Sequence, residues 1–517
     1  MEVRVDGEGE MMALTKLHVD FTQPVGRNLH SLVHVTQGLL IAMQKGKKVA
    51  VVGSGVAGLS TAYLLSREHT VTIFEREAAV GMDAHSLDAH GARMDIPLRV
   101  FSESYYPNLC SIYKHLGVKY RHADYSFSCR PAAAAASYFR YINFFVADMA
   151  LPLPLCLNVR ELFKCVRLAF QFAHFVNRAP AKLAAEAGEL RLGTFLERHG
   201  YSKEFATCLL YPMLSVVCTC SYASVEAYPA SIVVDYFANK YGLSGAQCRA
   251  YEGTRDVVDR ITQPVERVIT SATITRVDAA QPFAGGRERA LVTWRGADGR
   301  ELSEEFDEVV LAMQANASLR VLKTRELSQI EALASFSYES KRVVLHTDAS
   351  LMPHNERDWS PLNIVAAPGA DAASVTVWMN RIDDDLRREL KGPIFQTWNP
   401  DVEPTKGSVL ADYSFERPVV TPASEAGMAQ LATSQGVGHI WFVGAYARYS
   451  MPLLENGVKS ALEVSRRLGV DTSDIEVDEL ALECAALSGA TRRQRTWGML
   501  VLAAAVGATA LHSRYHF

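Results

Sequence analysis

The sequence predicts an α/β chain: a parallel-sheet, dinucleotide-binding domain interleaved with a mixed α+β substrate domain. Three observations predict it. The run "VAVVGSGVAGLSTAYLLSREHTVTIFERE", Val49 to Glu77, reads as strand, glycine turn, helix and second strand ending in an acid. Much later, "RVITSATITRVDAAQ", "ALVTWRG" and the residues before "FDEVVLAMQA" alternate with period two as strands, and "GHIWFVGAYA" is a final apolar strand followed by a helical "LLENGVKSALEVSRRLG" that stops at Gly469. Between them the character changes repeatedly, as expected when two domains are threaded through one another.

The glycine turn is the most informative element. Gly53, Gly55 and Gly58 form G-x-G-x-x-G directly after a strand and before a helix. The first permits the tight turn, the second lets a pyrophosphate approach the backbone, and the third allows close helix packing. The helix N-terminus then faces the phosphates. Glu75 stands 22 positions after Gly53, where a ribose hydroxyl acceptor belongs. These features predict dinucleotide binding and leave NAD and FAD open.

Composition bounds the rest. With 517 residues, 49% hydrophobic and 21% charged, the chain is globular and long enough for two or three domains. A net charge of -4 supplies no electrostatic case for nucleic acid. The nine cysteines are scattered, and the Cys218 and Cys220 pair lacks the second pair a zinc site needs, so no metal is expected. A reduced, intracellular setting is the expectation. The N-terminus carries acids where a secretory signal has basic residues, which argues against a cleaved signal.

The middle and the C-terminus carry apolar stretches. In 138–178 two prolines and Asp148 argue against a membrane span, whereas Leu162 to Arg178 fits a Phe-rich helix. That helix suits an apolar tunnel, a membrane contact, or an ordinary core position. At the end, Arg492, Arg493 and Arg495 precede the uncharged run Trp497 to Leu511. As a helix this run is about 23 Å long, short of the roughly 30 Å hydrocarbon core, which suits a short tail anchor or partly inserted helix. A helix packed on the body or on another subunit is the alternative.

The segments "VGSGVAGLS", "FERE", "DIPLRVFSESYYPNL", "YPASIVVDYFANKYGL", "YEGTRDVVDRI", "FDEVVLAMQAN" and "WFVGAYARYSMPLLENGVKSA" together resemble the FAD-dependent amine oxidase and phytoene desaturase superfamily. They resemble most its branch of oxidoreductases associated with cyclopropane fatty-acid synthases. The resemblance runs from Lys47 to Val470. It implies FAD as cofactor and a Rossmann-like FAD-binding domain in three parts, 47–130, 242–322 and 436–470. A substrate domain then takes 131–241 and 323–435, an extension 1–46, a linker 471–496 and an apolar tail helix 497–511.

The resemblance also implies positions. Pro97 to Val100 would pass alongside the flavin ring, and the Ile274 backbone would meet the adenine. Gly444 begins a second flavin-contacting segment, and Asn456, Gly457 and Val458 sit at a helix N-terminus near the flavin pyrimidine edge, where the helix dipole stabilises negative charge on reduced flavin. The cofactor-binding set is therefore Gly53, Gly55, Ala57, Gly58, Glu75, Arg76, Gly81, Arg99, Ile274, Gly444, Asn456, Gly457 and Val458. Two departures stand out: Gly81-Met82 replaces the usual glycine pair, and no acid follows Gly444. No cysteine lies in "ARYSMPLLENG", so a covalent flavin link is not expected.

No catalytic residue is assigned, because in a flavoenzyme the cofactor carries the redox step. Arg99 is either a flavin or carboxylate contact or a structural ion pair. Glu103, Tyr105 and Tyr106 read as structural. Tyr446 and Tyr449 are candidates to flank a substrate. The implied activity is oxidation or desaturation of a lipid or fatty-acyl substrate by hydride transfer to flavin. The alternatives are amine oxidation, carotenoid or polyprenyl desaturation, or a non-catalytic binding protein at a membrane.

Overall fold

The structure, a computed structural model, describes residues 46–132, 137–146, 149–155, 159–237, 247–280, 288–366 and 370–477. The chain divides into Met1–Lys47 and Lys48–Phe517, and the elements below belong to the second unit. Almost all of the N-terminal extension and all of the tail 497–511 lie outside the described residues.

Strand β1, Lys48–Val52, is a short apolar run with its last four residues buried, as a central strand covered on both faces requires. The chain turns at Gly53 into helix α1, Val56–Leu65, and returns as β2, Thr70–Phe74. Helix α1 is buried nearly all round because further helices cover it. Three strands from distant segments complete the sheet: β3, Arg267–Ile269, β4, Glu308–Leu311, and β5, Ile440–Phe442. All pairings are parallel and the order is β3-β2-β1-β4-β5. The connection reverses direction across the sheet at β1, so the turn after β1 lies where open α/β sheets bind ligands.

A second sheet of four strands contains Glu301–Phe306, Ala290–Arg295, Thr273–Asp278 and Leu322–Lys323. It packs on the end of β2 through Trp294, whose ring centroid lies 4.9 Å from that of Phe74.

The third sheet is mixed and has eight strands. Its order is Val409–Val419, Ser337–His346, Phe395–Trp398, Ser374–Trp378, Leu362–Val365, Phe127–Arg130, Phe139–Val146 and Met149–Pro154. Directly opposed residues share a face. Register therefore places Val343, Leu345, Leu362, Ile364, Val375, Val377, Trp398 and Tyr413 together on a face that joins the main core. The opposite face holds a buried polar layer of Ser128, His346, Asn363, Thr376 and Thr397. Its members satisfy one another, as in the bonds between His346 Nε2 and Thr397 Oγ1 (2.7 Å) and between Thr376 Oγ1 and Thr397 Oγ1 (2.9 Å).

The Phe-rich helix, α3, is longer than the sequence predicts, running Val159–Ala184 and continuing through Pro180. Cys165, Leu168, Phe175 and Ala179 are fully buried on one stripe, which is the helical spacing of a core face. Phe163 and Phe170 point away and are exposed. Among the described residues no helix is long and apolar enough to cross a membrane.

Candidate dinucleotide site

Gly53 adopts φ +98°, and a Cβ there would lie 2.9 Å from Ala312 O. Only glycine fits both the conformation and the approach to the end of β4. A Cβ on Gly58 would meet Gly53 O at 2.0 Å, so the helix lies directly on the turn. Around Gly55 the reverse holds: a Cβ would meet nothing within 4 Å. Gly55 is the N-cap of α1, without a side-chain cap and without an acid in the first turn. The orphan N–H groups and positive dipole end of α1 are thus left for an anion.

Ser54, which the sequence reading passed over, organises this turn. Its N–H donates to Glu75 Oε2 (3.2 Å), its hydroxyl also donates to Glu75 Oε2, and it accepts from Gly81 N–H at 2.8 Å. Glu77 N–H donates to Glu75 Oε1 at 2.9 Å, and that oxygen keeps a lone pair for a ribose hydroxyl. Gly81, at φ +65°, would with a Cβ press to 2.5 Å from Ser54 O. The close approach is therefore made by Gly81 alone. Met82, where a second glycine is usual, is buried in the core. The only signal for Ser54 in the sequence is its place between two glycines.

Arg76 is exposed and pairs with Glu77. Ile274 is the second residue of the strand Thr273–Asp278 and stands opposite Trp294, with a bulge immediately after it. Ala272 N–H donates to Glu75 O at 2.8 Å and Ser271 N–H to Glu77 O at 2.9 Å, so the segment leading to Ile274 runs beside the acid.

The downstream segment reaches the same place. Helix α4, Leu454–Arg467, has no side-chain N-cap. A Cβ on Gly457 would lie 3.0 Å from Val56 Cγ1 and 3.4 Å from Ala57 Cβ. The first turns of α1 and α4 are therefore in contact, and Ala57, Asn456, Gly457 and Val458 fall within one small region. Asn456 uses Nδ2 to hold Met451 O at 2.9 Å, and its backbone N–H donates to Leu453 O at 3.2 Å. Gly444 N–H donates to Ser460 Oγ at 3.0 Å.

Tyr446 and Tyr449 do not form a pair. Tyr446 is buried in the core beneath the second sheet, with its ring 4.9 Å from that of Phe336, and burial holds its hydroxyl far above the usual tyrosine range. Tyr449 is 36% exposed. Tyr105 and Tyr106 are core residues, with Tyr105 packed edge-on against Tyr106 and Tyr236. Glu103 is taken up at the surface by the Tyr120 hydroxyl.

The loop Pro97–Val100 is tied to the third sheet by Gln396, which accepts from Leu98 N–H (3.0 Å) and donates to Asp95 O (3.1 Å). Beside it, Asp95 pairs with Arg249, which also pairs with Asp383 at 2.9 Å. Of the two readings of Arg99, the structural ion pair is not formed among the described residues, and its Nε has no hydrogen-bond partner there. Among those residues no cluster of three or more His, Cys, Asp or Glu could hold a metal.

A parallel sheet in this order, with a glycine turn and a carboxylate at its switch point, defines a Rossmann-like dinucleotide-binding domain joined to a mixed-sheet domain. Consistent with that, the NAD(P)-binding Rossmann-like domain family matches residues 51–116. Three solved structures share the fold over most of the chain. A protein assigned as a protoporphyrinogen oxidase from Exiguobacterium is 12% identical, with a TM-score of 0.56, covering 82% of this chain and 98% of its own. A fatty acid isomerase from P. acnes that produces CLA is 16% identical, with a TM-score of 0.55, covering 81% and 98%. The cyclohexylamine oxidase of Brevibacterium oxydans is 13% identical, with a TM-score of 0.54, covering 82% and 99%. No curated protein matches the sequence.

Proposed function

We propose that this chain is an FAD-dependent oxidoreductase of the amine-oxidase type, acting on an apolar or lipid-like substrate. The observation that carries the reading is the contact between the first turns of α1 and α4 at Val56 and Gly457. One helix N-terminus serves a pyrophosphate. A second beside it suits a cofactor with another electron-rich end, which FAD has in its isoalloxazine ring. Likeness in fold to an amine oxidase and a fatty acid isomerase supports the same reading.

In this reading Gly55 and the first turn of α1 bind the phosphates, and Glu75 holds the adenosine ribose. The first turn of α4 holds the pyrimidine edge and stabilises negative charge there. Bound FAD would supply the hydride acceptor. The chain's own residues then position the substrate and exclude water, and the half-buried Trp398 and Tyr413 of the third sheet are the ones placed to supply such a wall. Asp95, Arg249 and Asp383 hold the loop 97–100 in place rather than exchange protons. The three-part FAD domain and two-part substrate domain are the matching division of the chain, and the tail 497–511 is the proposed membrane contact of an intracellular protein.

The test is to purify the chain, release its small molecules by denaturation and identify them by mass. Stoichiometric FAD supports the reading, and so does bleaching of its absorbance by apolar substrates. A colourless protein that FAD does not reconstitute would sink it. Peroxide release on primary amines would favour amine oxidation, and flavin that stays oxidised across broad panels would favour a binding role.

A further inference from the structure

Exposed apolar side chains gather at one place. Among the described residues twelve large hydrophobic side chains are exposed, and five of them, Ile142, Leu153, Leu155, Phe163 and Phe170, fall between positions 142 and 170. Phe163 and Phe170 are the only phenylalanines of the twelve, and Phe163, at 75%, is the most exposed of all. Single exposed apolar residues are ordinary, whereas a gathering of them marks a contact surface.

From Glu161 to Ala184 every exposed position of α3 lies on one stripe. Phe163, Arg167, Phe170, His174 and Arg178 recur at intervals of three and four residues, and the stripe spans about 120° of the helix. Cys165, Leu168, Phe175 and Ala179 are buried on the opposite side. The solvent stripe thus interleaves phenylalanine with cations and has no acid of its own. The whole helix carries five basic residues against the single Glu161, in a chain whose net charge is -4. Glu204 is the acid that reaches it from outside, pairing with Arg167 and, at 3.6 Å, with Lys164.

The start of α3 is seated on the hairpin Phe139–Val146 and Met149–Pro154, which forms one edge of the third sheet. Cys165 Sγ donates to Arg140 O at 3.4 Å, and Lys164 Nζ lies 4.2 Å from the centroid of the Tyr138 ring. Ile142 and Leu153 stand directly opposite each other in the hairpin and share a face, which Leu155 continues two residues on. Leu155 is four residues ahead of the first residue of α3. The exposed side chains of the hairpin therefore lead into the Phe163 end of the helix.

A second copy of the chain fits this surface poorly. A two-fold interface would bring two cationic stripes together, and Pro152 and Pro154 deny the edge strand Met149–Pro154 two of the N–H groups that a partner strand would use. An anionic bilayer fits it. Phenylalanine enters the boundary between headgroups and acyl chains while arginine stays at the phosphates, and each cation near such a surface tightens attachment by about fivefold. We propose that the exposed stripe of α3, with the hairpin residues that lead into it, docks the body of the protein on an anionic lipid bilayer through Phe163 and Phe170. The contact is separate from the tail 497–511 and does not rest on the FAD reading.

The experiment is co-sedimentation of the purified full chain with vesicles of phosphatidylcholine, either pure or with about one-third phosphatidylserine. The chain should bind the anionic vesicles about tenfold or more tightly than the neutral ones, and added salt should release it. Phe163→Ser combined with Phe170→Ser should weaken that binding by about tenfold or more. Its melting curve should overlay the parent's, because both side chains are exposed. Arg167→Gln combined with Arg178→Gln should bring binding to anionic vesicles down toward the neutral level. Leu327→Ser is the control: Leu327 is nearly as exposed as Phe163 but lies on another helix, Leu327–Ala334, so its variant should bind like the parent. Every variant keeps the tail.

The proposal is overturned if the parent chain ignores anionic vesicles, if neutral vesicles bind it equally well, or if Leu327→Ser weakens binding as much as the phenylalanine variant. Undiminished binding by the phenylalanine variant also overturns it, because attachment then belongs to the tail or to another face. So does a dimer, seen by light scattering, that the phenylalanine variant dissolves, because a second copy then covers the stripe.

Discussion

Glu455 Oε1 accepts hydrogen bonds from both the backbone N–H (3.0 Å) and the Nδ2 (2.8 Å) of Asn108, while Oε2 accepts from Leu109 N–H at 3.1 Å. The carboxylate at the start of α4 thereby caps helix α2, Pro107–His115, whose own N-cap residue Tyr106 offers no side-chain bond. It holds the helix end proposed to face the flavin against the segment that follows the loop 97–100. Glu455→Ala should strand three buried N–H donors, at about 1–3 kcal/mol for each that finds no other partner. Glu455→Gln should cost less because it keeps acceptor capacity. Denaturant titration checks the order, and FAD affinity should fall with stability.

The two glycines of the fingerprint should respond differently. Gly58→Ala puts a Cβ 2.0 Å from Gly53 O, so it should destabilise the fold by several kcal/mol, on the order of severe overpacking. Gly55→Ala meets open space and a φ of -62° that alanine accepts. It should leave unfolding within about 1 kcal/mol of the parent and yet reduce retained FAD, because its methyl takes the room a pyrophosphate needs. A Gly55→Ala protein that keeps full FAD would remove the phosphate assignment.

Ser54→Ala removes both the donor to Glu75 and the acceptor for Gly81 N–H. With Gly81 N–H left unpaired, the expected loss is about 1–3 kcal/mol. Glu75 should also become freer to move, so the FAD dissociation constant should rise more than in a surface control. Thermal melts with and without added FAD separate the two effects.

Acid should weaken the third sheet through His346. Its Nδ1 accepts from Asp348 N–H at 3.2 Å, which leaves Nε2 as the donor to Thr397, and burial pushes the imidazole down to about 4. A folded pKa below the unfolded value near 6.5 means that the unfolded chain binds the extra proton first. The stability contributed by neutral His346 is complete above about pH 6.5 and is lost as pH falls toward about 4, at no more than about 1.4 kcal/mol per pH unit. Urea midpoints between pH 7 and 4 measure the slope, and His346→Gln should flatten it. An unchanged slope in the variant would assign the acid sensitivity elsewhere.

The nucleotide turn was legible because its constraints are local. Gly53, Gly55 and Gly58 answer to steric demands within a few residues, and Glu75 follows from the length of one helix and one strand. The α/β class was readable for the same reason, since buried parallel strands need continuous apolar runs such as Val49–Val52. Met82 was harder to judge, because whether a side chain there intrudes on the turn depends on where the core lies. Tyr446 did not take the substrate-flanking place that the sequence allowed it, because its burial against Phe336 depends on a distant segment that sequence spacing does not reveal.

By itself, then, the sequence determined the turn, the acid and the fold class, each of which depends on contacts within a short stretch of chain. Only the tertiary structure decided that Gly457 would touch Val56, that Glu455 would cap α2, and that Arg417 would lie over the Trp398 ring. Those relationships arise from strand order and period-two register in two sheets built from scattered segments. One residue of slip would send Arg417 to the other face, and no feature of the residue itself records which face it takes.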